Sequence, residues 1–94
     1  MKIEIEYLKK PHKFFAKNSH ILTKAQSNQL IIKAIKKILL IEDINVDVKN
    51  LKGNLKDYYR VRQGKVRILF EFQNNTIIIK AIVNDIDFRG DVYK

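Results

Sequence analysis

The chain has 94 residues, no cysteine, and 19 lysines and arginines against 10 acidic residues, a formal net charge of +9. That length predicts one small domain, residues 1–94, with a single modest core. Hydrophobic residues at 46% and charged residues at 31% exclude a disordered chain, and the lack of cysteine excludes disulfides and thiolate metal sites while suiting a reducing, cytoplasmic setting. The charge-alternating start Met-Lys-Ile-Glu-Ile-Glu is unlike a signal peptide, and no apolar run reaches the ~18 residues of a membrane span. The cationic excess points to an acidic partner: nucleic acid, an anionic surface or an acidic protein.

In chain order, residues 2 to 7 alternate, with Ile3, Ile5 and Tyr7 on one side and Lys2, Glu4 and Glu6 on the other, which predicts a half-buried strand. Lys9 to Lys17 predicts a short helix with Pro11 in its first turn and Phe14 and Phe15 as core anchors. Asn18-Ser19-His20 is the connecting turn. Thr23 and Gln26 match a capping box, and Leu30, Ile31, Ala34, Ile35, Ile38 and Leu39 recur at helical spacing, predicting a helix from Lys24 to about Ile41 with Lys33, Lys36 and Lys37 toward solvent. Glu42 to Asn50 reads as an irregular loop.

Residues 49 to 67 then hold seven cations (Lys49, Lys52, Lys56, Arg60, Arg62, Lys65 and Arg67) against Asp57. Tyr58 to Arg62 and Lys65 to Gln73 read as a hairpin about a Gln63-Gly64 turn, with Gly64 supplying positive φ. With two turn residues, Arg62 faces Lys65, Val61 faces Val66 and Arg60 faces Arg67. Alternation then collects Arg60, Arg62, Lys65 and Arg67 on one face, and Tyr59, Val61, Val66, Ile68, Phe70 and Phe72 on the other. Opposed like charges cost about 0.2–1 kcal/mol per pair, which an anion bound between them offsets. A basic sheet edge also discourages edge-to-edge association. Arginine at three of the four positions favours phosphate, which its planar fork binds at two points. A third strand, Thr76 to Val83, follows an Asn74-Asn75 turn that pairs Phe72 with Ile77, Phe70 with Ile79 and Ile68 with Ala81.

The fold class is therefore α+β: an N-terminal strand, two helices, then an antiparallel meander of three to four strands, with the helices packed on one face. His12 and His20 lack metal-ligand partners at usable spacing. Asp85-x-Asp87-x-Arg89-Gly90 starts like a calcium loop but has arginine at its fifth position and no twelfth-position glutamate. Neither a metal nor another cofactor is expected. Arg89-Gly90-Asp91 matches a cell-adhesion tripeptide, with nothing else pointing outside the cell.

Leu51-Lys52-Gly53, Tyr58-Tyr59-Arg60-Val61-Arg62, Lys65-Val66-Arg67-Ile68-Leu69-Phe70-Glu71 and Phe88-Arg89-Gly90-Asp91-Val92-Tyr93-Lys94 together resemble the RelE/ParE superfamily of toxins, its RelE branch in particular. The resemblance implies a RelE-like fold and the toxin of a type II toxin–antitoxin system. Such a toxin is a metal-independent endoribonuclease (an mRNA interferase) that cuts messenger RNA in the ribosomal A site, arrests translation and is neutralised by a cognate antitoxin. It implies a catalytic set of Arg60, Arg62, Arg67, Tyr93 and Lys52, with Lys49, Lys56, Lys65 and Arg89 as further RNA contacts. Partners are then the antitoxin, the ribosome and messenger RNA, with no membrane. Lysines of the prototype stand here as Arg60 and Arg62, and arginine, with a pKa above ~12, is a poor proton acceptor. Lys52 and Asp87, the latter standing where the prototype has arginine, are the candidate bases. Two other readings fit the same residues: a ParE-like, non-enzymatic inhibitor of DNA gyrase, and a non-catalytic RNA-binding module.

Overall fold

The computed structural model describes residues 2–41, 43–51, 53, 57–74 and 78–88. Alternation sets the first strand, β1 (Lys2–Tyr7), whose last side chain, Tyr7, is buried. Helix α1 (Lys9–Asn18) follows at once and buries Pro11 and Phe14. Helix α2 (Lys24–Ile38) begins at the expected capping box: the Gln26 N–H donates to Thr23 Oγ1 at 3.1 Å and the Thr23 N–H to Gln26 Oε1 at 2.9 Å. Its buried stripe is Ser27, Leu30, Ile31, Ala34 and Ile35. The Tyr7 hydroxyl ties strand to helix, donating to Asn28 Oδ1 at 2.6 Å and lying 2.9 Å from Ser27 Oγ.

α2 stops three residues short of the expected Ile41. Leu40 adopts φ +59°, its N–H donating to the Lys37 carbonyl at 3.1 Å and the Ile41 N–H to the Lys36 carbonyl at 2.9 Å. This is a Schellman ending, with leucine at the position glycine usually takes. Lys37, expected in solvent, instead donates to the Val46 carbonyl at 2.9 Å and ties the helix to the chain entering the sheet. Among the described residues no helix is long and apolar enough to cross a membrane.

The remaining strands are β2 (Asp47–Asn50), β3 (Tyr58–Gln63), β4 (Val66–Asn74) and β5 (Ile78–Phe88). They form a mixed five-stranded sheet in the order β1-β5-β4-β3-β2, with β1 parallel to β5 and the other neighbours antiparallel. The expected α+β architecture holds, with corrections. The stretch read as a loop before Asn50 ends in strand β2, whose single apolar side chain, Val48, gave little periodicity to read. The hairpin turn is Gly64-Lys65 rather than Gln63-Gly64: Gln63 pairs with Val66, and Gly64, at φ +58°, takes the first central position, where type II′ turns favour glycine. Arg62 therefore opposes Arg67, and Arg60 opposes Leu69. Each partner moves by two residues, so the faces stay as expected.

The next pairing differs more. Phe72 meets Ala81 and Phe70 meets Val83, because β4 runs on through Asn74, which pairs with Ile79. Asn75, Thr76 and Ile77 of the expected turn and strand lie outside the described residues. The register then shifts between Leu69 and Phe70: Phe70 pairs with Val83 but Leu69 with Asp85, leaving Asn84 as an extra residue in β5. Strict alternation from Ile79, Ala81 and Val83 would drive Asp85 and Asp87 into the core. The extra residue instead gives the core Ile86, which is buried, and turns both carboxylates to the opposite face. Both helices cover the first face, closing the core over Val61, Val66, Ile68, Phe70, Ile79, Ala81 and Val83.

Candidate nucleic-acid interface

The face that neither helix covers gathers side chains from four strands. Asp47 and Lys49 of β2 pair with Arg62 and Arg60 of β3, Arg62 pairs with Arg67 of β4, and Arg67 pairs with Asp87 of β5. At the centre, Leu51, Arg60, Arg67, Leu69, Asp85 and Asp87 line a cleft of about 220 Å³. Two leucines wall it, two guanidinium groups enter from β3 and β4, and two carboxylates enter from β5.

Arg60 is only 8% exposed. Its Nη2 lies 3.6 Å from Asp47 Oδ1, a carboxylate whose side chain remains 56% exposed. Its Nη1 is buried with no hydrogen-bond partner among the described residues, as is Nε of Arg62. A buried donor left unpaired costs about 1–3 kcal/mol, more when charged. Sheet packing thus holds a desolvated cation whose hydrogen-bonding capacity is only partly used, at the edge of an open cleft. Arg67, half-buried, faces Arg62 directly, a like-charge pair that the sheet keeps together. An oxyanion with several acceptor oxygens would satisfy both defects.

Asp85 and Asp87 differ in their contacts. β1 pairs with β5 only as far as Val83, so the end of β5 forms the sheet margin there, and Lys10 of α1 reaches within 3.9 Å of Asp85 Oδ2. Asp87 accepts the Phe88 N–H on Oδ1 at 2.7 Å and makes no ion pair among the described residues.

Of the residues expected to act, Arg60, Arg62 and Arg67 come together here, and exposed Lys49 lies beside Arg60. Lys65 does not join them. As a turn residue it is exposed and lines a separate groove of about 470 Å³ on the helix side, with Ile21, Leu30 and Lys33. Lys52, Lys56, Arg89 and Tyr93 lie outside the described residues. Sequence reasoning gave little weight to the carboxylates of the cleft, because only the extra residue in β5 reveals which way they point.

No protein-family model matches the chain. Toxin RelE3 of Methanocaldococcus jannaschii is 34% identical over 56 residues, covering 60% of this chain and 62% of the relative, so the match spans under two thirds of that relative's length. Among solved structures, a copper-bound mutant toxin from Helicobacter pylori superposes with a TM-score of 0.60 at 13% identity, covering 95% of this chain and 97% of that one. A YoeB/ParE toxin from Agrobacterium tumefaciens gives 0.54 at 17% identity, covering 95% and 99%. The chain thus resembles RelE/ParE-type toxins in fold, and over 56 residues it resembles Toxin RelE3 in sequence.

Proposed function

We propose that the chain is the toxin of a type II toxin–antitoxin system and a ribosome-dependent endoribonuclease of RelE type, cutting messenger RNA in the A site. One observation carries the reading: a nine-tenths-buried Arg60 with an unpartnered Nη1, held beside Arg67 in an open cleft. Attack of a ribose 2′-hydroxyl on the neighbouring phosphorus builds negative charge on the phosphate oxygens. Guanidinium groups already desolvated and fixed in place stabilise that charge with little reorganisation. Arg60 and Arg67 take the phosphate, Arg62 positions that phosphate, and Lys49 extends the contact along the RNA backbone. By the resemblance, Tyr93 stacks on or orients a nucleotide, Lys52 is a further catalytic residue, and Lys56 and Arg89 are further RNA contacts. A cognate antitoxin, acidic where it crosses this face, would neutralise the toxin by occupying the cleft.

Brief induction followed by mapping of the 5′ ends of cellular messages tests this. New ends at codon-spaced positions, absent for Arg67→Ala of unchanged fold, are expected. DNA-damage signalling without new message ends would overturn it in favour of a gyrase poison. Tight binding to free RNA without cleavage, with log affinity falling at roughly −0.7 per phosphate contacted against log salt, would leave a binding module.

A further inference from the structure

The proposed reaction needs a group that accepts the 2′-hydroxyl proton, and arginines cannot serve. Within the described cleft the oxygen acceptors on side chains are Asp85 and Asp87. A carboxylate in an anion-binding cleft is unfavourable for phosphate affinity alone, since it repels the ligand the arginines attract. Two carboxylates aimed there call for a substrate that presents a proton donor next to its anion. A ribonucleotide does so, with its 2′-hydroxyl on the ribose carbon next to the one that carries the 3′-phosphate, whereas a deoxyribonucleotide does not.

The two acids are not equivalent. Asp85 lies across from Leu69 and has Lys10 within 3.9 Å. Asp87 lies across from Arg67, and its Oδ1 is fixed by the Phe88 N–H at 2.7 Å, leaving Oδ2 for a ligand. Although Arg67 and Asp87 are paired in the ladder and share the cleft, they form no ion pair among the described residues. Both line the same cleft of about 220 Å³, which can take a phosphate beside Arg67 and a ribose hydroxyl beside Asp87.

We infer that Asp87 is the catalytic base of the RNA cleavage proposed above, on which this inference rests, and that the extra residue in β5 exists to aim it. Its carboxylate takes the proton from the 2′-hydroxyl as the O2′–P bond forms. The P–O5′ bond breaks, the departing O5′ takes a proton from water, and Asp87 returns its own proton to solvent. The products are a 2′,3′-cyclic phosphate and a 5′-hydroxyl. Among the described residues, the charges surrounding Asp87 are Arg67 from β4, Arg60 and Arg62 from β3, Asp85 on its own strand, and Lys10 of α1 through Asp85.

The test is single-turnover cleavage of ribosomes programmed with a defined messenger and an empty A site, measured across pH. It compares wild type, Asp87→Asn and Asp87→Glu, each checked for an unchanged thermal midpoint. Wild-type rates should rise with pH on the acid side. Asp87→Asn should lower the rate by about 10²–10⁴-fold and abolish that rise, and Asp87→Glu should restore part of both. With a single 2′-deoxynucleotide at the cleavage position, Asp87→Asn should bind at least as tightly as wild type, because a repelling charge has gone. Should Asp87→Asn cleave at the wild-type rate with the same pH profile, or Asp87→Glu be no better than Asp87→Asn, Asp87 is not the base although the RNase reading stands. Absence of cleavage by the wild type overturns the reading and the base together.

Discussion

The two faces of the sheet obey opposite rules. On the helix side, Phe70, Ile68, Val61 and Ala81 have no exposed surface, and polar Ser27 lies against the Tyr7 hydroxyl. On the other side, among the described residues, Arg60 and Arg62 carry buried nitrogens without partners, Arg62 faces Arg67, and the ion pair of Arg60 is with Asp47. The same strands supply both faces, so period-2 alternation lets one short sequence optimise one side for packing and leave the other poised for a ligand. The covered face thus supplies most of the stability, which the uncovered face partly gives up for function.

Breaking the covered face should have the largest effect. Phe70 is fully buried and stacks on Tyr59 with ring centroids 6.1 Å apart. Phe70→Ala should cost about 3–5 kcal/mol, read from the midpoint of urea unfolding at unchanged slope. A loss under ~1 kcal/mol would mean that the core relaxes around the cavity and is not the close-packed half described here.

An intermediate effect is expected where the covered face holds a polar group. Tyr7→Phe removes the hydroxyl that links β1 to Ser27 and Asn28 and should cost about 1–2 kcal/mol. It should also alter the pH dependence. Burial pushes the Tyr7 hydroxyl above its usual range, and the hydrogen bond with Ser27 pulls it partway back. The unfolded chain therefore ionises this tyrosine first, near pH ~10, and binds fewer protons than the folded chain as pH rises through that value. Stability should fall there for the wild type. Alkaline unfolding curves should show a shallower fall for Tyr7→Phe, and parallel curves would place the titration elsewhere.

How much of this was legible in the sequence follows from what a period of two preserves. Moving the turn from Gln63-Gly64 to Gly64-Lys65 shifts every β3–β4 partner by two, so Arg60, Arg62 and Arg67 keep their common face although each cross-strand neighbour changes. Lys65 was the casualty, because entering the turn removed it from the alternation. The helical spacing and capping box located α2, but nothing in Lys37-Ile38-Leu39-Leu40 announced that a leucine would take positive φ and end the helix early. Asp47-Val48-Lys49-Asn50 forms a strand through pairing with β3, with hardly any apolar pattern of its own. Asp87 was already a candidate base from the resemblance, but the face it lies on was hidden for a different reason. A single extra residue reverses every face beyond it, and only tertiary pairing shows that Asn84 is that residue.

The smallest stability effect should come from the residue on which the proposed function depends most. Arg60→Met keeps much of the aliphatic stem, removes a desolvated charge, and leaves Asp47 largely in water. Replacing a buried ionic group by an apolar one of similar volume is often neutral or stabilising, so unfolding free energy should change by less than about 1 kcal/mol or rise. The contrast should emerge when an RNA oligonucleotide is added. A ligand at 100 times its Kd stabilises the folded state by about 2.7 kcal/mol. The wild type should show such a shift in thermal midpoint and Arg60→Met should lose most of it. A variant that loses several kcal/mol without RNA would show that Arg60 is a structural cation, satisfied by contacts within the fold. Unchanged stability together with an undiminished RNA shift would move the phosphate site away from this cleft. Only stability kept and the RNA shift lost is consistent with a guanidinium buried for a ligand rather than for the fold.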